Sequence, residues 1–141
     1  MKKTISMFIS LSLLCLLVIS GCGNKYSDAE KVLSKQADVF EDYIEAMDNV
    51  KNADDMVKAI GSFTTEMSDM IPELQKISEK YPEFKNEEEA PVELKEEIDK
   101  ITALSEKMSG VMMKNMQYMA DPKVQKALQE QGRVMSESLD K

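Results

Sequence analysis

Residues 27–50, SDAEKVLSKQADVFEDYIEAMDNV, decide the fold. Their apolar residues recur every three or four positions, and at about 100° per residue they fall on one face of a helix. The members of this stripe are Leu33, Ala37, Phe40, Ile44, Met47 and Val50. At the start, Ser27 and Glu30 have the spacing of a capping box. The pattern predicts an amphipathic helix over residues 28–50 with one buried face.

A second helix is expected after residues 52–55, Asn-Ala-Asp-Asp, because Asn and Asp prefer caps and turns. The alternative is one unbroken helix, since Ala53 continues the apolar stripe. Tyr81-Pro82 predicts the end of this second helix. Its inner arc comprises Met56, Ile60, Phe63, Met67, Ile71, Leu74 and Tyr81.

The remaining chain predicts a loop and two further helices. Residues 82–91, PEFKNEEEAP, predict an acidic loop without the spacing of a calcium site. Pro91 predicts the start of helix three. Asp121-Pro122 predicts the cap and start of a weaker helix four, interrupted by Gln131 and Gly132. The inner face of helix three is predicted as Leu94, Ile98, Ile101, Leu104, Met108, Met112, Asn115, Met116 and Met119, and that of helix four as Val124, Leu128, Met135 and Leu139.

Four amphipathic segments with short connections predict an all-α protein, an antiparallel up-down helical bundle. A three-helix core with a loosely docked fourth helix is the alternative, because the fourth stripe is weaker. No segment has the alternation or the β-branched density that strands show. No long linker or internal repeat divides the chain, so residues 27–141 are expected to form one helical bundle domain.

Residues 1–21 predict a lipoprotein signal peptide. Lys2 and Lys3 precede an apolar run over residues 5–19, which is shorter than the roughly 20 residues of a membrane-spanning helix. Two readings of this run alone stay open: a cleaved signal and an uncleaved N-terminal anchor. The run Ile19-Ser20-Gly21-Cys22 resembles the lipobox of bacterial lipoproteins.

The lipobox resemblance implies cleavage before Cys22 and a diacylglyceryl group on its thiol. Residues 22–26 would then be a short lipidated tether, and two or more acyl chains give stable anchoring. A chance cysteine after an ordinary signal peptide is the alternative. Loss of Lys2 and Lys3 lowers the net charge from −8 to −10. Such a body is repelled by nucleic acid and by anionic headgroups, so we expect the lipid to hold it at the membrane and no nucleic-acid partner.

Three fragments beyond Cys22 resemble uncharacterised small helical envelope lipoproteins of Gram-negative bacteria. These fragments are residues 53–60, 79–84 and 117–122. The resemblance implies an envelope location and carries no activity. In that family, Asp after the lipidated cysteine retains a lipoprotein at the inner membrane. Gly23 stands there instead, so the resemblance implies an outer-membrane protein facing the periplasm.

The composition disfavours catalysis. The chain has no histidine, and its two cysteines are Cys15, in the signal peptide, and Cys22. Without histidine, and with Cys15 removed and Cys22 lipidated, the folded part cannot form Ser-His or Cys-His nucleophile pairs or the usual zinc sites. Carboxylate pairs such as Glu93 and Glu97 are typical of a solvated helix surface. We therefore predict a non-enzyme with no catalytic residues, no cofactor and no metal site.

Methionine is the unusual residue, because ten of the 12 methionines follow Cys22 and five of them lie between positions 108 and 119. Most of the five continue the core stripe, and Met113 is the exception. Core packing is favoured; an adaptable apolar surface and a soft-metal site stay open. The predicted function is a lipid-anchored binding or structural module of the cell envelope that presents a groove to another envelope protein or an apolar ligand. The alternative is a periplasmic copper(I) binder using Met108, Met112, Met116 and Met119 of the third helix.

Overall fold

The computed structural model describes residues 25–85 and 91–139. The signal peptide, Cys22 and the centre of the acidic loop lie outside these residues. Within them, every regular element is helical, and four long helices pack against one another. They are α1 (Ser27–Asp48), α2 (Ala53–Lys80), α3 (Lys95–Lys114) and α4 (Pro122–Leu139). The predicted all-α helical bundle is confirmed.

The first two helices form an antiparallel hairpin. Asn52 caps α2, because its side-chain oxygen accepts a hydrogen bond of 2.9 Å from the Asp55 backbone N–H. The Asn52 side-chain amide in turn donates to the Asp55 carboxylate at 2.9 Å. The predicted break between helices one and two is therefore confirmed, with the Asn and Asp side chains satisfying the donors of the first turn.

Helix α3 lies along α1 and runs parallel to it. Lys100 forms an ion pair of 3.1 Å with Glu41, and Lys114 forms one of 2.8 Å with Asp48. The residue numbers of the paired side chains increase together along α1 and α3, so the two helices run in the same direction. Helix α3 begins later than predicted, because a 3₁₀ turn over Val92–Leu94 precedes it.

Helix α4 lies along α2 in the same parallel sense. Lys123 pairs with Asp54 at 2.7 Å, and the Gln75 side chain donates to the Leu139 carbonyl at 3.3 Å. The four helices thus alternate in direction along the chain. The α1–α2 hairpin is the centre of the bundle, and α3 and α4 flank it.

Two local predictions at helix starts and loops are wrong. The predicted capping box fails because α1 already includes Ser27, its N-cap is Tyr26, and no side chain caps it. The predicted loop after α2 contains a 3₁₀ helix over Pro82–Lys85. Tyr26, placed in the tether by the sequence, is buried against α2 and belongs to the bundle.

The core is divided between the two ends of the bundle. At the N-terminal end, where α1 begins and α2 ends, one buried cluster is made of Tyr26, Ala29, Ile77, Tyr81 and Leu94. At the turn end, formed by residues 48–53 and 115–121, the largest cluster is made of Tyr43, Met47, Met56, Ala59, Ile60, Val111 and Val124. A smaller cluster of Ala37, Phe40 and Leu104 lies between them.

Candidate functional site

A groove of about 550 Å³ lies between α3 and α4, with the α1–α2 hairpin as its floor. Helices α3 and α4 pack mainly against α1 and α2, and Val111 and Val124 meet in the turn-end core, so the surface between the two helices away from the turn is left open. We call this site the α3–α4 groove. Its lining residues are Phe40, Tyr43, Phe63, Ser105, Met108, Ser109, Met112 and Gln131.

The floor of the α3–α4 groove is aromatic. Phe40 and Tyr43 are three positions apart on α1 and so share a face. The Phe63 ring of α2 lies between them, with ring centroids 6.0 Å from Phe40 and 4.6 Å from Tyr43. These distances are those of favourable aromatic pairs, so the floor is a fixed platform of three rings.

One directional bond crosses the floor of the groove. The Tyr43 hydroxyl donates to the Met112 thioether sulfur at 3.0 Å. Tyr43 is only 6% exposed, and this burial raises the pKa of its phenol. The phenol therefore remains a protonated donor at neutral pH, held by an acceptor that is weak.

The α3 wall of the groove carries two kinds of side chain at helical spacing. Met108 and Met112 are four residues apart and supply its apolar part. Ser105 and Ser109 stand beside them, and their hydroxyls donate to backbone carbonyls one turn earlier, at 2.9 Å and 3.3 Å. The polar atoms of this wall thus already have partners within their own helix.

The lining of the α3–α4 groove is uncharged, although charged residues make up 31% of the chain. A second cavity of about 450 Å³, between α1 and α3, is lined by Glu41, Glu45, Asp48 and Lys107 among others. The contrast separates a neutral face from a charged one. The uncharged groove is the better site for an apolar molecule.

Helix α4 closes one side of the groove with a polar residue. Gln131 lines it and also lines a smaller cavity of about 300 Å³ between α2 and α4. In the sequence, Gln131 interrupts the apolar pattern of helix four. In the structure, α4 contacts the groove at this residue, so the interruption of the pattern coincides with the site.

The docking of α4 is uneven along its length. Near its start, Val124 is fully buried, and it is the one buried residue of the helix. At its end, Leu139 is 63% exposed. The prediction that Leu139 belongs to the inner face is therefore wrong, although α4 packs along α2.

The structure separates the methionines that the sequence grouped together. Met108, Met112 and Met119 are half-buried against the turn-end core. Met113 is 69% exposed, as predicted, and Met116 is 60% exposed. The prediction that Met116 continues the inner face is wrong. Helix α3 ends at Lys114 and a 3₁₀ turn over Met116–Tyr118 follows, so the 100° spacing stops there.

Some site residues were missed by sequence reasoning. Tyr43 is absent from the predicted first stripe, yet it lies one helical turn from Phe40. Ser105 and Ser109 carried no signal, because exposed serines on a helix are ordinary. Their role at the groove depends on where α4 passes, and that is a tertiary feature.

Residues 25–85 and 91–139 contain neither a metal-ligand cluster nor a membrane-spanning helix. In that part of the chain no three His, Cys, Asp or Glu side chains lie close enough together to hold a metal ion. None of the helices described there has both the length and the hydropathy needed to cross a bilayer.

The fold and the site together define an all-α bundle with an open, neutral groove. Comparisons with protein-family models, with curated proteins and with solved structures found no match to this chain. The lipobox resemblance and the resemblance to envelope lipoproteins therefore stay predictions.

Proposed function

We propose that this protein is a lipid-anchored binding module of the bacterial cell envelope whose α3–α4 groove binds a neutral, apolar small molecule. The anchor is the lipid on Cys22, and the module faces the periplasm from the outer membrane. The observation that carries the proposal is the groove itself: an aromatic floor, a methionine wall and no charged lining residue.

The size and chemistry of the groove support a small neutral ligand. Sites for small molecules enclose about 300 to 1,000 Å³ and are mostly apolar with a few polar groups. A charged ligand would lose its hydration there without gaining a partner. The net negative charge of the chain also disfavours anions. Ligand recognition is therefore expected to rest on shape and apolar burial.

The bond between Tyr43 and Met112 supports a ligand with one oxygen acceptor. A thioether accepts a hydrogen bond weakly, whereas a carbonyl or ether oxygen accepts well. An entering ligand that displaced the sulfur would gain a better bond from a phenol that is already buried. We infer that the preferred ligand carries such an oxygen near one end of an apolar body.

Binding is favoured over catalysis by the partners of the groove's hydroxyls. The Ser105 and Ser109 hydroxyls donate to backbone carbonyls, and no histidine in the chain could take a proton from them. An activated nucleophile needs an adjacent general base. The polar groups of the groove are better suited to hold a ligand than to transform it.

The distance between the proposed anchor and the groove is compatible with a ligand site that faces the periplasm. Only residues 23 and 24 separate Cys22 from Lys25, which lies at the N-terminal end of the bundle. Phe40 is 13 positions beyond Ser27, which places the groove about 20 Å along α1 at 1.5 Å per residue. With the bundle axis along the membrane normal, a groove at that height clears the headgroup layer and stays reachable from the periplasm.

The ligand proposal is tested with a neutral apolar dye, N-phenyl-1-naphthylamine, whose fluorescence rises on leaving water. We expect saturable binding to the full chain in detergent held below its critical micelle concentration, where the dye has no micelle to enter. Ser109→Trp should weaken that binding about tenfold, because the indole fills the groove. Thr102→Trp is the matched control: it is also exposed on α3, does not line the groove, and should leave binding unchanged.

Equal dye affinity in the two tryptophan variants would reject the groove as the site. Absence of saturable dye binding would reject a small apolar ligand. A photo-crosslinker at position 109 that captures one envelope protein in cells, with no dye binding in vitro, would replace the ligand by a protein partner. Unfolding temperatures of both variants must match the parent within a few degrees, which confirms that the groove is filled and not destroyed.

A copper(I) site is the second candidate, and one observation favours it: Met108 and Met112 line the same groove. Thioethers are suitable ligands for copper(I). Met116 points out of this group because it is exposed in the 3₁₀ turn. Titration with copper(I) under reducing conditions tests the idea. Binding weaker than about micromolar, or unchanged by Met112→Leu with Met116→Leu, would exclude it.

A further inference from the structure

Two methionines in or next to the turn end are exposed to solvent, unlike the other methionines that the structure describes. Met113 is 69% exposed and Met116 is 60% exposed. The next residue on one side, Met112, and the nearby Met119 are half-buried against the core. The chain thus places an exposed and a packed thioether side by side, twice within a few residues.

Hydrogen bonds hold in place the backbone around Met113 and Met116. Asn115 lies between the two methionines and is only 3% exposed. Its side-chain amide donates to the Met47 carbonyl at 2.8 Å and to the Val111 carbonyl at 2.9 Å. The Tyr118 hydroxyl donates to the Lys51 carbonyl at 2.8 Å. Met116 therefore extends from a fixed turn and Met113 from the last turn of α3, and their exposure does not depend on local unfolding.

Few other groups in the chain would compete for an oxidant. No cysteine follows Cys22, and the chain contains no tryptophan and no histidine. Thioethers are therefore the most readily oxidised side chains of the bundle. Among them, susceptibility follows solvent access. Met47, Met56 and Met70 have no exposed area at all.

We propose that Met113 and Met116 are a modification site for two-electron oxidants of the peroxide or hypohalous acid class. With hydrogen peroxide, a sulfur lone pair attacks one peroxide oxygen. The S–O bond forms, the O–O bond breaks, and the leaving hydroxide takes the proton of the oxygen now bound to sulfur and becomes water. The thioether is oxidised to a sulfoxide, and the peroxide is reduced. Methionine sulfoxide reductases reverse the change, so the site can act repeatedly.

The exposure of the pair lets the bundle survive the reaction. A sulfoxide is polar, and in a core it costs stability because it loses hydration. At Met113 and Met116 the new oxygen stays in water. Oxidation at Met112 would instead place a polar group beside Tyr43 in the groove. The turn end can therefore consume oxidant at its surface before the groove is altered.

The experiment is substoichiometric oxidation of the full chain with hydrogen peroxide, followed by peptide mapping. Trypsin cuts after Lys107, Lys114 and Lys123, so Met112 and Met113 share one peptide, and Met116 and Met119 share the next. Fragment spectra then compare an exposed and a packed methionine within the same peptide. We expect oxidation at Met113 and Met116 to be about tenfold faster than at Met112 and Met119.

A variant set separates the site from general reactivity. Met113→Leu with Met116→Leu should remove the fast phase of peroxide consumption and leave the unfolding temperature unchanged. Met67→Leu with Met135→Leu is the matched control, because both residues are half-buried, and it should keep the fast phase. Equal rates within each peptide, or a fast phase that survives the first pair of substitutions, would overturn the proposal. So would unfolding of the bundle at one oxygen per exposed methionine.

Discussion

The two ends of the bundle are built from different chemistry. At the N-terminal end, the rings of Tyr26, Tyr81 and Phe84 form a triangle with centroids 5.0 to 5.6 Å apart. Charged pairs surround this aromatic cluster: Lys25 with Glu83, and Lys80 with Asp28. The turn end instead buries Met47 and Met56 completely and surrounds them with further methionines.

The difference shows which end is suited to binding. Aromatic rings with directional hydrogen bonds have few ways to pack, so the N-terminal end holds one geometry. Methionine has three rotatable side-chain bonds and adapts to irregular contacts. The α3–α4 groove lies beside the adaptable core and away from the aromatic cluster. If lipid is attached at Cys22, the rigid end faces the membrane and the adaptable end faces the periplasm.

The largest expected effect comes from removing the proposed anchor, which gives the two ends their orientation. Cys22→Ser should abolish the lipid-modified N-terminal peptide and stop cleavage at the lipobox, because the oxygen cannot carry the thioether-linked lipid. The intact mass of the N-terminal peptide measures both changes. Cys15→Ser is the matched control and should leave both unchanged. A native N-terminus elsewhere, or a free thiol at Cys22, would contradict the anchor.

The next effect concerns the bonds that fasten the turn end. Asn115→Leu removes two buried hydrogen bonds from the junction of α1 and α3, to the carbonyls of Met47 and Val111. We expect a loss of about 2 kcal/mol in the free energy of unfolding, measured with urea. Gln117→Leu, an exposed change in the same turn, should cost less than about 0.5 kcal/mol. Equal costs would mean that packing alone holds this end.

Helix number and order followed from the sequence because they depend on local patterns. The break at Asn52 was predictable, since a short polar side chain at a cap acts within three residues. The end of α3 was not, because the stripe from Met108 to Met119 looks continuous. There the buried amide of Asn115 bonds across to α1 and the helix gives way to a tight turn. That competition between tertiary bonds and helix propensity has no local signature.

The groove shows the same limit. The methionine wall and Phe40 were predicted as core residues, and the break in the α4 stripe at Gln131 was visible. The sequence could not show that α3 and α4 pack mainly on the hairpin and meet each other only near the turn that joins them. That arrangement leaves a surface open that periodicity alone assigns to the interior. The candidate site was therefore predictable in its residues but not in its exposure.

A pair of tyrosines compares the two ends directly. The Tyr81 oxygen lies 2.8 Å from the Lys25 carbonyl and 2.7 Å from an Asp28 oxygen, and the residue is buried. The Tyr118 hydroxyl donates to the Lys51 carbonyl at 2.8 Å but is more exposed. We expect Tyr81→Phe to cost about 1 kcal/mol and Tyr118→Phe less, since water can replace the lost partner at the exposed site. Urea unfolding measures both, and the reverse order would contradict a rigid N-terminal end.

The smallest effect is a dependence on acid at the N-terminal end. Hydrogen bonds from Lys80 and Tyr81 lower the pKa of Asp28 from 3.8 to about 2. Because the folded-state value is the lower one, the stabilisation is complete above pH 4 and is lost as the pH falls through about 2. Asp28→Asn should therefore show a smaller drop in unfolding temperature between pH 4 and pH 2 than the parent. Asp69→Asn, at an exposed position of α2 outside the aromatic cluster, is the control and should follow the parent. If both variants behave alike, the charge of Asp28 contributes nothing, and the rigidity of this end comes from the rings alone.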